Sequence, residues 1–171
     1  MSELQNYDEA VKEFVNMYRF YGWETADVKD KNGLTPRDYY DLLSEVWSAE
    51  TCAPRMRSDW TPENRTLGQC SITAFLMQDI YGGKVYGIPH GDGNYHCFND
   101  VDGCVFDLTS EQFGDEVLDY GSCPEQERSI HFAKEEKEQR YELLKTRLMN
   151  ALYGGVPAKK IKDIENDIIY E

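Results

Sequence analysis

The chain is poor in the features that would take it out of the ordinary globular class. No apolar run approaches the roughly 20 residues that a membrane-spanning helix needs. The opening residues Met1-Ser2-Glu3-Leu4-Gln5-Asn6 have neither the basic nor the apolar region of a secretion signal. A cytoplasmic protein with no membrane partner is therefore expected. Positive charge is also scarce: 18 Lys and Arg stand against 32 Asp and Glu, a net charge of −14. Phosphate binding needs clustered cations, so nucleic acid is not expected as a partner, and the acidic total points to neutral or basic substrates. No Cys-x-x-Cys pair occurs. The five cysteines (Cys52, Cys70, Cys97, Cys104 and Cys123) are odd in number and irregular in spacing, which argues against a disulfide framework. A zinc site from Cys52, His90, Cys97 and Cys104 matches no ligand spacing, so neither a metal nor another cofactor is expected. Internal repeats and low-complexity segments are missing too.

What is present suits one folded domain over residues 1–171, with 40% hydrophobic and 13% aromatic residues. Tyr7, Val11, Phe14, Val15 and Tyr18 recur at helical spacing over 7–21. Thr35-Pro36-Arg37-Asp38 opens a second helix with a cap, a proline at the first position and a box-like acid, ending near Glu50. Residues 51–67 lack periodicity. A helix from Cys70 stops at Tyr81-Gly82-Gly83. Three short strands follow: 84–88, 94–99 and 104–108. Thr109 or Ser110 caps a short helix through Phe113. After a polar loop over 114–129, a charged helix runs from about Ser129 to Leu152, and Pro157 starts a last helix with Ile161, Ile164 and Ile168 on one side. The core is expected over about 38–113, with the C-terminal helices over about 129–171 either packing on it or pairing with a second copy, so both a monomer and a homodimer stay open.

The chemistry centres on Leu67-Gly68-Gln69-Cys70-Ser71-Ile72. A cysteine in the first turn of a helix faces the positive end of the dipole, which favours thiolate. A buried structural cysteine is the competing reading, and the residues downstream bear on the choice. If Asp100–Gly103 form a four-residue hairpin loop, His96 sits directly opposite Asp107; if the loop is Asp102-Gly103 alone, the two are diagonal neighbours. Both registers put them on one face, whereas a three-residue loop would separate them. Cys70, His96 and Asp107 can then serve as nucleophile, base and orienter. His90, in a Gly-rich turn, and His131, in a charged stretch, are weaker bases. Asn64 and Gln69, in the loop entering the helix, are candidate oxyanion donors.

Gly68-Gln69-Cys70, His96 with Asn99 three residues on, and Asp107-Leu108-Thr109 resemble the transglutaminase-like branch of the papain-like cysteine enzymes. There a Gly-Gln-Cys motif opens the nucleophile helix and an Asp-Pro-Thr motif ends the strand after the histidine. Here Leu108 replaces the proline, Ser71 replaces the usual aromatic, and the interval from Cys70 to His96 is short. The chain also resembles the small, uncharacterised bacterial YunG-like family over roughly residues 38–150. That likeness rests on Trp47-Ser48-Ala49-Glu50-Thr51, Trp60 before Gly68-Gln69-Cys70, the Asp107–Phe113 motif, and Arg140-Tyr141 with Leu143-Leu144-Lys145. Together the resemblances imply an α+β fold, with a papain-like or transglutaminase-like core in which the nucleophile helix packs on a small antiparallel sheet. They imply a hydrolase or acyltransferase acting on a peptide, amide, isopeptide or thioester through Cys70, His96 and Asp107. The alternative is a binding module that keeps the fold without turnover.

Overall fold

The computed structural model describes residues 20–154. The expected helix over 7–21 lies outside the described residues except at its end, where Tyr21 is extended and bridges Asp107. The final helix from Pro157 lies outside them altogether.

Helix α1 (Pro36–Val46) starts as its sequence dictates. Thr35 Oγ1 accepts the Asp38 N–H, and Asp38 Oδ2 accepts the Thr35 N–H at 2.8 Å, a complete capping box. The helix ends at Val46 and not near Glu50. Competition from side chains explains the early stop: Ser48 N–H donates to Thr51 Oγ1 at 3.0 Å and Glu50 N–H to Ser48 Oγ at 3.2 Å, so a turn replaces the helical bonds. The aperiodic stretch that follows is organised as two 3-10 turns, Pro54–Asp59 and Pro62–Asn64, each opened by its proline.

Helix α2 (Cys70–Tyr81) is the centre of the molecule. Every residue from Ser71 to Met77 is buried. A stretch buried on every side belongs inside a domain, and its Thr73 hydroxyl is satisfied there by Trp47 Nε1. Strands β1 (Lys84–Pro89), β2 (Tyr95–Val101) and β3 (Cys104–Phe106) form an antiparallel sheet in chain order. Helix α2 lies on it, tied by Asn99 Nδ2 donating to the Ala74 carbonyl at 2.8 Å. Val101 pairs with Cys104, so the hairpin takes the two-residue loop. Asp102 and Gly103 both have positive φ, 51° and 86°, the conformation that twists a two-residue hairpin in register with its strands. β3 stops at Phe106 because Asp107 leaves β2 to pair with Tyr21, donating its N–H to the Tyr21 carbonyl at 2.9 Å.

The expected helix over 129–152 is broken. A short helix α3 (Arg128–His131) precedes a turn at Phe132–Lys134, and α4 (Glu135–Leu152) follows. His131 and Phe132, at the end of α3, both pack on the Phe75 ring, with centroids 5.1 and 5.4 Å away. Leu144 and Leu148 of α4 are fully buried in a core shared with Leu43, Phe75 and Phe106. Each such side chain contributes about 1.5–3 kcal/mol by leaving water. The architecture is mixed α+β, a three-stranded sheet flanked by helices.

Candidate active site

Gly68 sets the position of Cys70. Its φ is +70°, and a Cβ there would stand 2.5 Å from Cys52 Sγ and 2.9 Å from Ala53 N, so only glycine makes this turn. Three elements hold the turn. Ala53 N–H and Arg140 of α4 donate to the Gly68 carbonyl at 2.9 and 3.5 Å, and Gln112 Oε1 accepts the Gly68 N–H at 3.4 Å. The segment from Trp47 to Thr51 braces the same spot. Trp47 Nε1 donates to Thr73 Oγ1 of α2, the Ser48 carbonyl accepts Gln69 Nε2 at 3.0 Å, and the Thr51 carbonyl accepts Arg140 at 3.0 Å.

The structure brings His96 and Asp107 together. His96 Nε2 is 2.6 Å from Asp107 Oδ2, and the two residues are 3% and 1% exposed. In the two-residue-loop register they are diagonal neighbours on one face. Asp107 is held from every side: Tyr120 O–H donates to Oδ2 at 2.9 Å, and Thr109 donates from its N–H and hydroxyl to Oδ1 at 3.1 and 3.3 Å. Thr109 therefore supports the carboxylate, and its side chain does not cap the 3-10 turn Ser110–Phe113 as the sequence suggested. Ser110 Oγ is also engaged elsewhere, accepting the Tyr21 N–H. The Phe113 ring stands edge-on to His96 at 4.6 Å and excludes water from it.

His96 Nδ1 is buried without a hydrogen-bond partner. With Nε2 committed to Asp107, Nδ1 is the nitrogen open to exchange a proton. Cys70 lies beside it at the start of α2, its sulfur 3.9 Å from the Tyr95 carbonyl oxygen. A hydrogen bond from the Cys97 thiol and then the charge and proximity of His96 outweigh burial and hold the Cys70 thiol well below its usual range. Cys97 moves the other way, raised by that same contact with Cys70 and by burial, so it stays a thiol. Burial acts to lower His96, but the charge and hydrogen bond of Asp107 overcome it and push the ring up to about 10. The proton thus rests on His96 and the negative charge on Cys70. Tyr120 is raised by burial and by Asp107, so it remains a phenol that donates.

Cys70 opens on a cavity of about 540 Å³ between the 53–56 segment, the 93–95 loop and α3–α4. Gln69 is fully buried, and its Nε2 is committed to Ser48. Asn64 ends a 3-10 turn, where its carbonyl accepts the Leu67 N–H, and it does not line the cavity. His90 packs on Phe113, and His131 lines the cavity wall. Among the described residues no group of three or more His, Cys, Asp or Glu side chains could hold a metal ion, and no helix is long and apolar enough to cross a membrane.

A family model described as YunG protein matches residues 35–153. The chain belongs to the YunG family. It is 32% identical over 112 residues to the uncharacterized protein YunG of Bacillus subtilis (strain 168), a match spanning 65% of this chain and 91% of that protein. No solved structure matches the chain. The YunG match runs from the Thr35 cap to the end of α4, so Cys70, His96, Asp107 and Tyr120 all fall within it. Sequence reasoning missed Tyr120 and Cys97. Tyr120 sits in an aperiodic loop with only its residue type to mark it. Cys97 adjoins His96, yet nothing in the sequence brings it to Cys70.

Proposed function

We propose that this YunG-family chain is a cysteine-dependent hydrolase or acyltransferase with a papain-like or transglutaminase-like core, acting on an amide, isopeptide or thioester bond. The single observation that carries the proposal is the buried His96–Asp107 contact at 2.6 Å, which leaves His96 Nδ1 unpartnered beside a thiol held low. A structural histidine in a dry strand has no need of a free nitrogen next to a cysteine.

The Cys70 thiolate attacks the substrate carbonyl carbon, and the electron pair of the C=O bond moves to oxygen. The N–H groups in the first turn of α2 stabilise that oxyanion, since they have no intrahelical acceptors. Gln69 acts there through the backbone turn it anchors, its side-chain amide being committed to Ser48. Asn64, standing outside the cavity, supports the loop. The C–N or C–S bond then breaks as His96 Nδ1–H protonates the leaving group, which leaves a thioester on Cys70. Water, or an amine in acyl transfer, gives its proton to His96 Nδ1 and attacks the thioester. The acyl product departs, and the thiolate–imidazolium pair is restored. Asp107 keeps the ring oriented and its charge compensated throughout.

The test is alkylation of the native protein by iodoacetamide from about pH 5 to about pH 9, resolved by site, beside His96→Ala. Rapid labelling of Cys70 alone below the ordinary thiol range, lost in the variant, is the expected result. A Cys70 no faster than Cys123 would end the catalytic proposal and leave a binding module.

A further inference from the structure

The cavity beside Cys70 has a charge opposite to that of the chain. Arg55, Lys134, Lys137 and Arg140 line it, against the carboxylate of Glu136 alone. Glu136 is taken by Arg140, Oε2 to Nε at 2.9 Å, and Arg140 also holds the Thr51 and Gly68 carbonyls, so that pair belongs to the scaffold. Three cations remain. Among the described residues no carboxylate pairs with Arg55, Lys134 or Lys137.

Lys137 is the informative one. It is half-buried on α4, and its Nζ lies 2.9 Å from His131 Nδ1. His131 Nε2 in turn donates to Gln126 Oε1 at 3.0 Å. An ammonium only donates, so His131 Nδ1 must accept and the imidazole is neutral with its proton on Nε2. Burial and then the charge of Lys137 lower His131 to about 4, so it stays neutral across the physiological range. Gln126 and His131 thus form a fixed, uncharged support that holds one ammonium at the cavity wall. That ammonium has three donors, with a neutral acceptor for one of them. Half-burying a cation with no carboxylate paired to it costs free energy that a bound anion would return. Burial lowers Lys137, and the charge of the Cys70 thiolate opposes it, which places the ammonium within electrostatic range of the sulfur.

We propose, resting on the cysteine-centred acyl chemistry above, that the substrate of Cys70 carries a carboxylate that seats on Lys137, with Arg55 and Lys134 at the cavity rim. The chain's total of −14 suggests a neutral or basic substrate, but the field in a cleft is set by its lining and not by the whole-chain sum. The carboxylate can belong to a chain terminus or to an acidic side chain; the chemistry at Lys137 is the same.

Two alkylating agents of nearly equal size read the field directly. Iodoacetate carries a carboxylate and iodoacetamide does not. In the full chain at low salt, the iodoacetate-to-iodoacetamide rate ratio at Cys70 is expected to exceed that of a free cysteine peptide by roughly tenfold. It should fall to the reference in Lys137→Gln and persist in Lys137→Arg. If Lys137 serves only as a counter-ion to the thiolate, Lys137→Gln slows both agents equally and leaves the ratio unchanged, which overturns the proposal. If Cys70 is no faster than the reference peptide with either agent, the catalytic reading falls and this proposal with it. Fast iodoacetamide labelling with an unmoved ratio removes the carboxylate alone. Competition then locates the charge. Protection of Cys70 from iodoacetamide by N-acetylglutamine marks a terminal carboxylate, and protection by N-acetylglutamic acid α-amide marks a side chain. Equal protection by the neutral N-acetylglutamine amide would again overturn the proposal.

Discussion

Tyr120 O–H and His96 Nε2 meet on the same oxygen of Asp107, at 2.9 and 2.6 Å. With Thr109 donating twice to the other oxygen, the carboxylate has four donors in a site closed by Phe113. Such a carboxylate has one orientation, and it gives the imidazole one orientation in turn.

Replacing His96 by Gln removes the positive charge beside Cys70. An ordinary thiol of pKa about 8.5 is about 1% thiolate at pH 6.5, so iodoacetamide labelling of Cys70 should slow by about 100-fold there. At about pH 10 both proteins hold thiolate, and the rates should converge. Equal slowing at both values would mean that His96 acts by packing and not by charge.

Tyr120→Phe deletes one donor to Asp107 and keeps the ring that stacks on Tyr21 at 4.0 Å. The loss of about 1–2 kcal/mol should lower Tm by about 2–8 °C. Labelling of Cys70 at pH 6.5 should slow by less than about tenfold, against about 100-fold for Asp107→Asn. Restoration of the wild-type rate by modestly raising pH would mark Tyr120 as a positioning residue. A deficit at every pH would point instead to a collapsed site.

The pH dependence of stability has two opposing parts. His96 is pushed up by Asp107 to about 10 from 6.5, so its contribution is complete below 6.5 and is lost as pH rises through the folded value. Cys70 is lowered from 9.0, so its contribution is complete above 9.0 and is lost as pH falls through the folded value. In Cys70→Ser only the first survives. Its melting temperature, compared with that of Cys70→Ser/Asp107→Asn, should show an advantage that shrinks from about pH 6.5 upward. The advantage should vanish before about pH 10, because Cys70's own share of the histidine shift is gone. A pH-independent difference would contradict a protonated His96.

Arg140 joins α4 to the nucleophile turn through the Thr51 and Gly68 carbonyls, and it is 6% exposed. Arg140→Met keeps the stem and leaves the Thr51 carbonyl unpaired, while the Gly68 carbonyl keeps the Ala53 N–H, which should cost about 1–3 kcal/mol in urea unfolding. Because the turn carries Cys70, the alkylation rate should drop with it. A stability loss with unchanged Cys70 labelling would show that Gly68 holds the turn unaided.

Local chemistry was legible in the sequence where it acts locally. The Thr35–Asp38 capping box forms as written, since its partners lie three residues apart. α2 runs from Cys70 to the stop at Gly82, because an apolar run bounded by glycine has few other options. The C-terminal end of α1 and the break before α4 were not legible. They depend on side chains capturing the backbone N–H groups of Ser48 and Glu50, and on tertiary packing around Phe75 that no local pattern records.

The same division runs through the site. The sequence by itself determined the YunG membership and the mixed α+β pattern, and it offered His96 and Asp107 a shared face only for a hairpin loop of two or four residues, because strand alternation has a period of two. It left two registers open, and the tertiary structure chose the two-residue loop through the positive φ of Asp102 and Gly103. Only the tertiary structure seated Tyr120 on Asp107, Cys97 beside Cys70, and Lys137 at the wall of the cavity. Tyr120 is 13 residues from Asp107 and the other pairs are farther apart along the chain, and no local rule carries information over such distances. Folding around α2 brings them together, and a cationic cavity arises within an acidic chain because charge is distributed by packing and not by sum.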